Sequence, residues 1–185
     1  MRIEVHVHGD LTLCKGVARA QIEAAIQPWL EYMDVDTLDE AKSSIPEEPG
    51  ISFDQTNRTL EICWTGQIGR SFQQRLEQAL HGLGPLTEQA CEVDVSLYHE
   101  NGDEENQIIF VGPTPEAIHE AQRQRMFEDV SYLVSRQFGQ DAVDEVLALM
   151  DGLFAREWER KLGSEGERDR AFRPNSAAPG RRHLH

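Results

Sequence analysis

Lysine is nearly absent from this chain: of 18 basic residues only Lys15, Lys42 and Lys161 are lysines. That bias reads as the codon usage of a GC-rich bacterium or its phage. Positive charge of either kind is scarce too, since 33 acidic residues outweigh the 18 basic ones for a formal charge of -15. A field of that sign repels phosphates and disfavours nucleic-acid binding. Only Cys14, Cys63 and Cys91 carry thiols, too few and too scattered for a disulfide framework or a zinc knuckle, so they read as small buried residues. No stretch approaches the roughly 18 uninterrupted apolar residues of a membrane span, and the opening MRIEVHVHGD lacks the apolar core of a signal peptide. The expectation is a cytoplasmic protein with no membrane contact.

What is present suffices for a fold. At 39% hydrophobic and 28% charged, 185 residues suit one compact domain, or one with an appendage, able to bury roughly two thirds of the unfolded surface. Residues 2 to 8 alternate, Ile3, Val5 and Val7 opposing Glu4, His6 and His8, as in a half-buried strand that Gly9-Asp10 ends. A helix follows between about Thr12 and Met33, with Pro28 inside it, and then an acidic loop from Glu31 to Glu48. Residues 51 to 55 and 59 to 65 read as a hairpin with Leu60, Ile62 and Trp64 on its inner face and Asn57 in the left-handed turn position.

Ser71 and Gln74 form a capping-box pattern before a helix ending at Gly82, Gly84 and Pro85. Cys91 to Tyr98 alternates, and Ile108 to Val111 is apolar on both faces, the mark of a central or covered strand. Thr114-Pro115-Glu116 starts a third helix, Gly139 stops it near Phe138, and Asp141 caps a fourth whose stripe of Val143, Val146, Leu147, Met150, Leu153, Phe154, Trp158 and Leu162 runs to Gly163. Beyond Ser164 no apolar period remains and the chain reads as disordered. The expected domains are therefore an α+β sheet domain at 1–113, a helical hairpin at 114–163, packed on it or used for dimerisation, and a basic tail at 164–185. The order β-α-β-β-α-β-β resembles the ferredoxin-like arrangement, with an antiparallel or mixed sheet and a C-terminal helical hairpin.

Chemistry-bearing motifs are sparse. His6 and His8, two apart on one strand, project from the same face and could both reach one metal, with Glu4 beneath them and Asp94 or Glu92 completing the site from a neighbouring strand. His81, His99, His119, His183 and His185 stand singly. His119-Glu120 begins a zincin frame, but Arg123 occupies the second ligand position. Asp34, Asp36, Asp39 and Glu40 suggest a calcium loop, yet Asp39 holds the glycine position and Ile45 the closing glutamate position. Gly69-Arg70-Ser71 lacks the second glycine of a nucleophile elbow, and Gly66 with Gly69 is no phosphate loop.

Along the chain the charge is uneven. Residues 1–113 hold 7 basic and 20 acidic side chains (-13), residues 114–163 hold 6 and 10 (-4), and residues 164–185 hold 5 and 3 (+2). The acidic segment from Glu31 to Glu48 could serve solubility or imitate phosphates toward a basic partner.

These features point first to a non-enzymatic cytoplasmic protein of bacterial or phage type, an acidic protein–protein interaction module that binds a protein partner or itself, with a homodimer through the C-terminal helices as one form. The alternative is a small metal-binding protein or metal-dependent enzyme using His6 and His8. The first reading assigns no catalytic residue, cofactor site or metal ligand.

Overall fold

The computed structural model describes residues 3–171, with side chains described as far as Lys161. In chain order the elements are β1 (Ile3–Thr12), α1 (Arg19–Tyr32), β2 (Gly50–Asp54), β3 (Thr59–Ile68), α2 (Phe72–Leu83), β4 (Cys91–His99), β5 (Glu104–Val111), α3 (Pro115–Ser135) and α4 (Gln140–Ala171). Leu38–Glu40 and Gly84–Leu86 add single 3-10 turns. The five strands make one sheet in the order β2-β3-β1-β4-β5, every neighbouring pair antiparallel. The fold is thus α+β with a C-terminal helix pair. Its five-strand order is not that of the four-stranded ferredoxin-like arrangement.

Alternation along β1 sorts the sheet into two unlike faces. Val5, Val7 and Leu11 are buried, with Leu60, Ile62 and Trp64 of β3 and Val93 and Val95 of β4 beside them. Ile22, Ile26, Trp29 and Leu30 of α1 and Phe72, Leu76, Ala79, Leu80 and Leu83 of α2 close over that face, each set at the 3.6-residue spacing that gives a helix one apolar stripe. An aromatic group locks the layer. Trp64 stacks on Phe72 at 5.8 Å, Trp29 meets Trp64 edge-on at 5.6 Å, and Tyr32 meets Phe72 at 5.4 Å. Pro28 is accommodated inside α1 because Ala24, whose carbonyl loses its helical donor, is exposed to solvent.

Several local features differ from the sequence expectation, each for a physical reason. Gly9 does not end β1; a β-carbon there would lie 2.8 Å from the Glu92 carbonyl oxygen, so the glycine permits close approach of β4 and the strand runs on to Thr12. In the β2–β3 turn it is Arg58, not Asn57, that takes the positive φ of 58°. Asn57 instead donates its backbone and side-chain N–H groups to Asp54, and these bonds hold the Asp54 carboxyl below its usual range. Ser71 makes no side-chain cap on α2, whereas Thr114 Oγ1 accepts the Ala117 N–H at 3.2 Å as expected of an N-cap.

The strand β5 is an edge strand and not a central one, because the other edge of β4 is taken by β1; its Ile108, Ile109 and Phe110 are half-buried. It also begins at Glu104, four residues before the apolar run that starts at Ile108. The three cysteines are half-buried free thiols. Helix α4 continues past Gly163 to Ala171, since Glu and Arg are good helix formers that need no apolar stripe; residues 172–185, the rest of the expected tail, lie outside the described residues. By packing the chain divides into two compact units after Gln124. The first ten residues of α3 group with the sheet, Ile118 lying against Gly112. Among the described residues no helix is long and apolar enough to cross a membrane.

A β-carbon on Gly66 would fall 2.4 Å from the Trp64 indole, and that ring is held by Phe72, by Trp29 and by its Nε1 donating to the Lys42 carbonyl at 2.9 Å. Gly66→Ala should therefore cost about 1–3 kcal/mol by overpacking, read as a lowered urea midpoint with an unchanged slope.

Candidate metal centre on the open face of the sheet

The face of the sheet turned away from α1 and α2 is polar. The register puts Glu4, His6, His8 and Asp10 of β1 on it, flanked by Glu61, Cys63, Thr65 and Gln67 of β3 and by Asp94, Ser96 and Tyr98 of β4. Of the described strand residues that share this face, none is a lysine or an arginine.

Cys63 lies directly opposite His8 across the β1–β3 pair, and Asp94 lies opposite His8 across the β1–β4 pair. His6 and His8, two residues apart on one strand, stack nearly parallel with ring centroids 6.2 Å apart. Donor atoms of His6, His8 and Cys63 all lie within 4.8 Å of one another. Zinc bond lengths of about 2.1 Å to nitrogen and 2.3 Å to sulfur require neighbouring ligand atoms roughly 3.4–3.6 Å apart in a tetrahedron, a spacing inside the bound that these donors meet. Two imidazoles and a thiolate leave a fourth position open.

A hydrogen-bonded chain behind His6 fixes its orientation. Thr65 Oγ1, on a residue only 2% exposed, donates to Glu48 Oε1 at 3.1 Å, and His6 Nδ1 lies 2.8 Å from the same hydroxyl and 3.4 Å from the carboxylate. Since the hydroxyl proton goes to Glu48, the hydroxyl oxygen must accept, so His6 carries its proton on Nδ1. Its Nε2 is left with the free lone pair, the arrangement by which a carboxylate behind a ligand histidine sets tautomer and basicity. Glu48 is itself positioned: Ser43 Oγ donates to its other oxygen, while Ser43 Oγ accepts the N–H groups of Thr65 and Ile45.

The Cys63 thiol is pushed up, first by burial and then by the charges of Glu48, Glu61 and Asp10. Without a cation it stays a protonated and unreactive thiol at neutral pH, and the carboxylates that hold the proton on also attract a dication that would replace it.

The remaining motifs are drawn into ordinary structural roles. Glu120 makes two bonds to Arg123, at 2.8 and 2.7 Å, and Arg123 holds its carboxyl below the usual range, so the residue that breaks the zincin frame forms an ion pair within α3. In the acidic segment Asp39 pairs with Arg19 at 2.8 Å, Glu31 with Arg75 at 3.5 Å, and Glu40 accepts the Asp36 N–H; these carboxylates do not converge. Gly69 N–H donates to Tyr32 Oη at 2.7 Å in a strand-to-helix turn. His81, His99 and His119 stand apart from the cluster, and His183 and His185 lie outside the described residues. Asp94 has the parity expected of it, whereas Glu92 lies beyond the last β1–β4 pair. Cys63 and Glu48 are the members that sequence reading missed. Parity alone places Cys63 opposite to Leu60, Ile62 and Trp64, which was the available signal.

The chain belongs to a family of unknown function, DUF6806, matched over residues 3–155. No curated protein and no solved structure matches it. The matched span of this DUF6806 chain contains β1, β3 and the 41–49 segment, hence the whole histidine–cysteine cluster with its Glu48 support.

The tautomer is directly measurable. Nitrogen-15 shifts of metal-free protein should show His6 protonated at Nδ1, and Thr65→Val should abolish that preference with the fold intact; a His6 Nε2–H signal in the wild type would refute the arrangement.

Proposed function

We propose that this DUF6806 protein binds a thiophilic first-row ion, zinc foremost, through His6, His8 and Cys63. The observation that carries the reading is the convergence of two imidazoles and a thiol within 4.8 Å on a face rich in carboxylates. Nitrogen and sulfur donors favour zinc or cuprous ions over calcium or magnesium, which take oxygen. The open fourth position and adjacent Asp94 leave room for an exchangeable ligand, so the centre suits a metal-carrying or metal-sensing role better than a sealed structural site. Three unpaired thiols support a reducing, cytoplasmic setting. The central place of β1 between β3 and β4, with both helices over one face, supports a ferredoxin-like sheet extended by β5.

Titration calorimetry on chelator-treated protein carrying His183→Ala and His185→Ala should find one zinc equivalent. Cys63→Ser or His8→Ala should weaken binding at least a hundredfold with unchanged circular dichroism, and Glu48→Gln about tenfold to a hundredfold. Because a proton leaves Cys63 on binding, affinity should rise about tenfold per pH unit between pH 7 and 8. Equal binding by Cys63→Ser would sink the proposal.

A second reading, self-association, rests on the C-terminal unit. There Phe127 and Phe154 pack edge-to-face at 6.3 Å, and Val143 is buried, yet Leu149 remains 65% and Leu153 50% exposed. Leu149 and Leu153 stand one turn apart on α4, as an isologous helix contact between two copies needs. Light scattering should give a dimer that Leu149→Lys with Leu153→Lys converts to a monomer of unchanged helicity; a monomeric wild type at 100 μM would exclude this reading.

A further inference from the structure

Two helices cannot cover five strands, and where α2 leaves the outer part of β4 and β5 uncovered the helix-side face of the sheet carries a cavity of about 250 Å³. Its floor and walls are apolar: Ile3, Leu76, Val95, Leu97 and Ile109 line it. This cavity belongs to the sheet unit and opens on the face opposite to His6, His8 and Cys63.

Two polar groups in its wall lack a hydrogen-bond partner among the described residues. His99 Nε2 is shielded from solvent and makes no hydrogen bond among them. Glu105 Oε1 is 3.5 Å away, too far to serve as a good acceptor, on a side chain 70% exposed. A shielded polar atom without a partner is destabilising, and a bound ligand atom would supply the missing partner. The other group is Arg70, at the turn before α2, which lines the same cavity and has no ion pair or hydrogen bond among the described residues. In a segment of 7 basic and 20 acidic side chains, a cation without a carboxylate partner is out of place unless an outside anion supplies one.

We propose that the cavity binds a small amphipathic carboxylate, its apolar body against Leu97 and Ile109 and its head group between Arg70 and His99. The polar-to-apolar division is that of small-molecule sites, apolar walls with a few convergent polar groups. A monoanion fits better than a phosphate, because one arginine and one imidazole face the cavity and Glu105 at its rim opposes a dianion. The space equals that of about eight water molecules, which fits an acid of about ten non-hydrogen atoms. This site does not depend on the metal reading.

Octanoate is a suitable probe, titrated into metal-free protein and followed by amide and imidazole shifts. It should perturb Arg70, Leu97, His99 and Ile109 with a Kd below 1 mM, leaving His6 and His8 unmoved. Octanamide should bind at least tenfold more weakly, Arg70→Gln should lose tenfold for octanoate alone, and Glu105→Gln should gain. Arg70 and Glu105 are exposed, so neither variant threatens folding. Absence of shifts at these residues, or equal binding of octanamide and octanoate, overturns the proposal.

Discussion

The arrangement depends on the Trp64 indole. Its ring fills the space between β3, α1 and α2, and its Nε1 donates to the Lys42 carbonyl, so one side chain both completes the core and ties the 41–49 segment to the sheet. Beyond Gly50 the outer edge of β3 has no strand partner, and the tied segment takes that place: Ser44 N–H donates to the Thr65 carbonyl at 2.8 Å. An edge that would otherwise offer unpaired amides is thereby covered. The same tether carries Glu48 over the edge to Thr65 and His6. Packing on one face thus sets the chemistry on the other.

The open face joins unlike requirements. Its carboxylates lie on a surface that water can solvate, so they cost little there, and none is neutralised by a lysine or arginine from the strands. Between them sit the groups best able to hold a cation through nitrogen and sulfur. On the proposed reading the potential that would draw a metal in also holds the Cys63 proton on, so a bound metal and the proton would compete for the same sulfur, and metal affinity would depend on pH.

Much of this was legible in the sequence where alternation is strict. Ile3 to His8 revealed a strand with His6 and His8 on one side, and the spacing of α1 and α2 revealed their buried stripes. Legibility failed where a residue type has two physical uses. Gly9 signals a turn but serves close approach to β4; Ile108, Ile109 and Phe110 signal a central strand but occupy an edge. It also failed wherever long-range pairing decides the outcome. Nothing local shows that Cys63 faces His8, because that depends on β1–β3 register, or that Glu48 returns to Thr65, because that depends on a tryptophan 16 residues away in sequence.

The central claim is that the histidine pair and Cys63 share one ion, and X-ray absorption at the zinc edge of the singly loaded protein tests it most directly. One sulfur scatterer near 2.3 Å together with nitrogen scatterers near 2.0–2.1 Å is the result expected, the sulfur disappearing in Cys63→Ser. A coordination sphere of nitrogen and oxygen alone in the wild type would contradict the account.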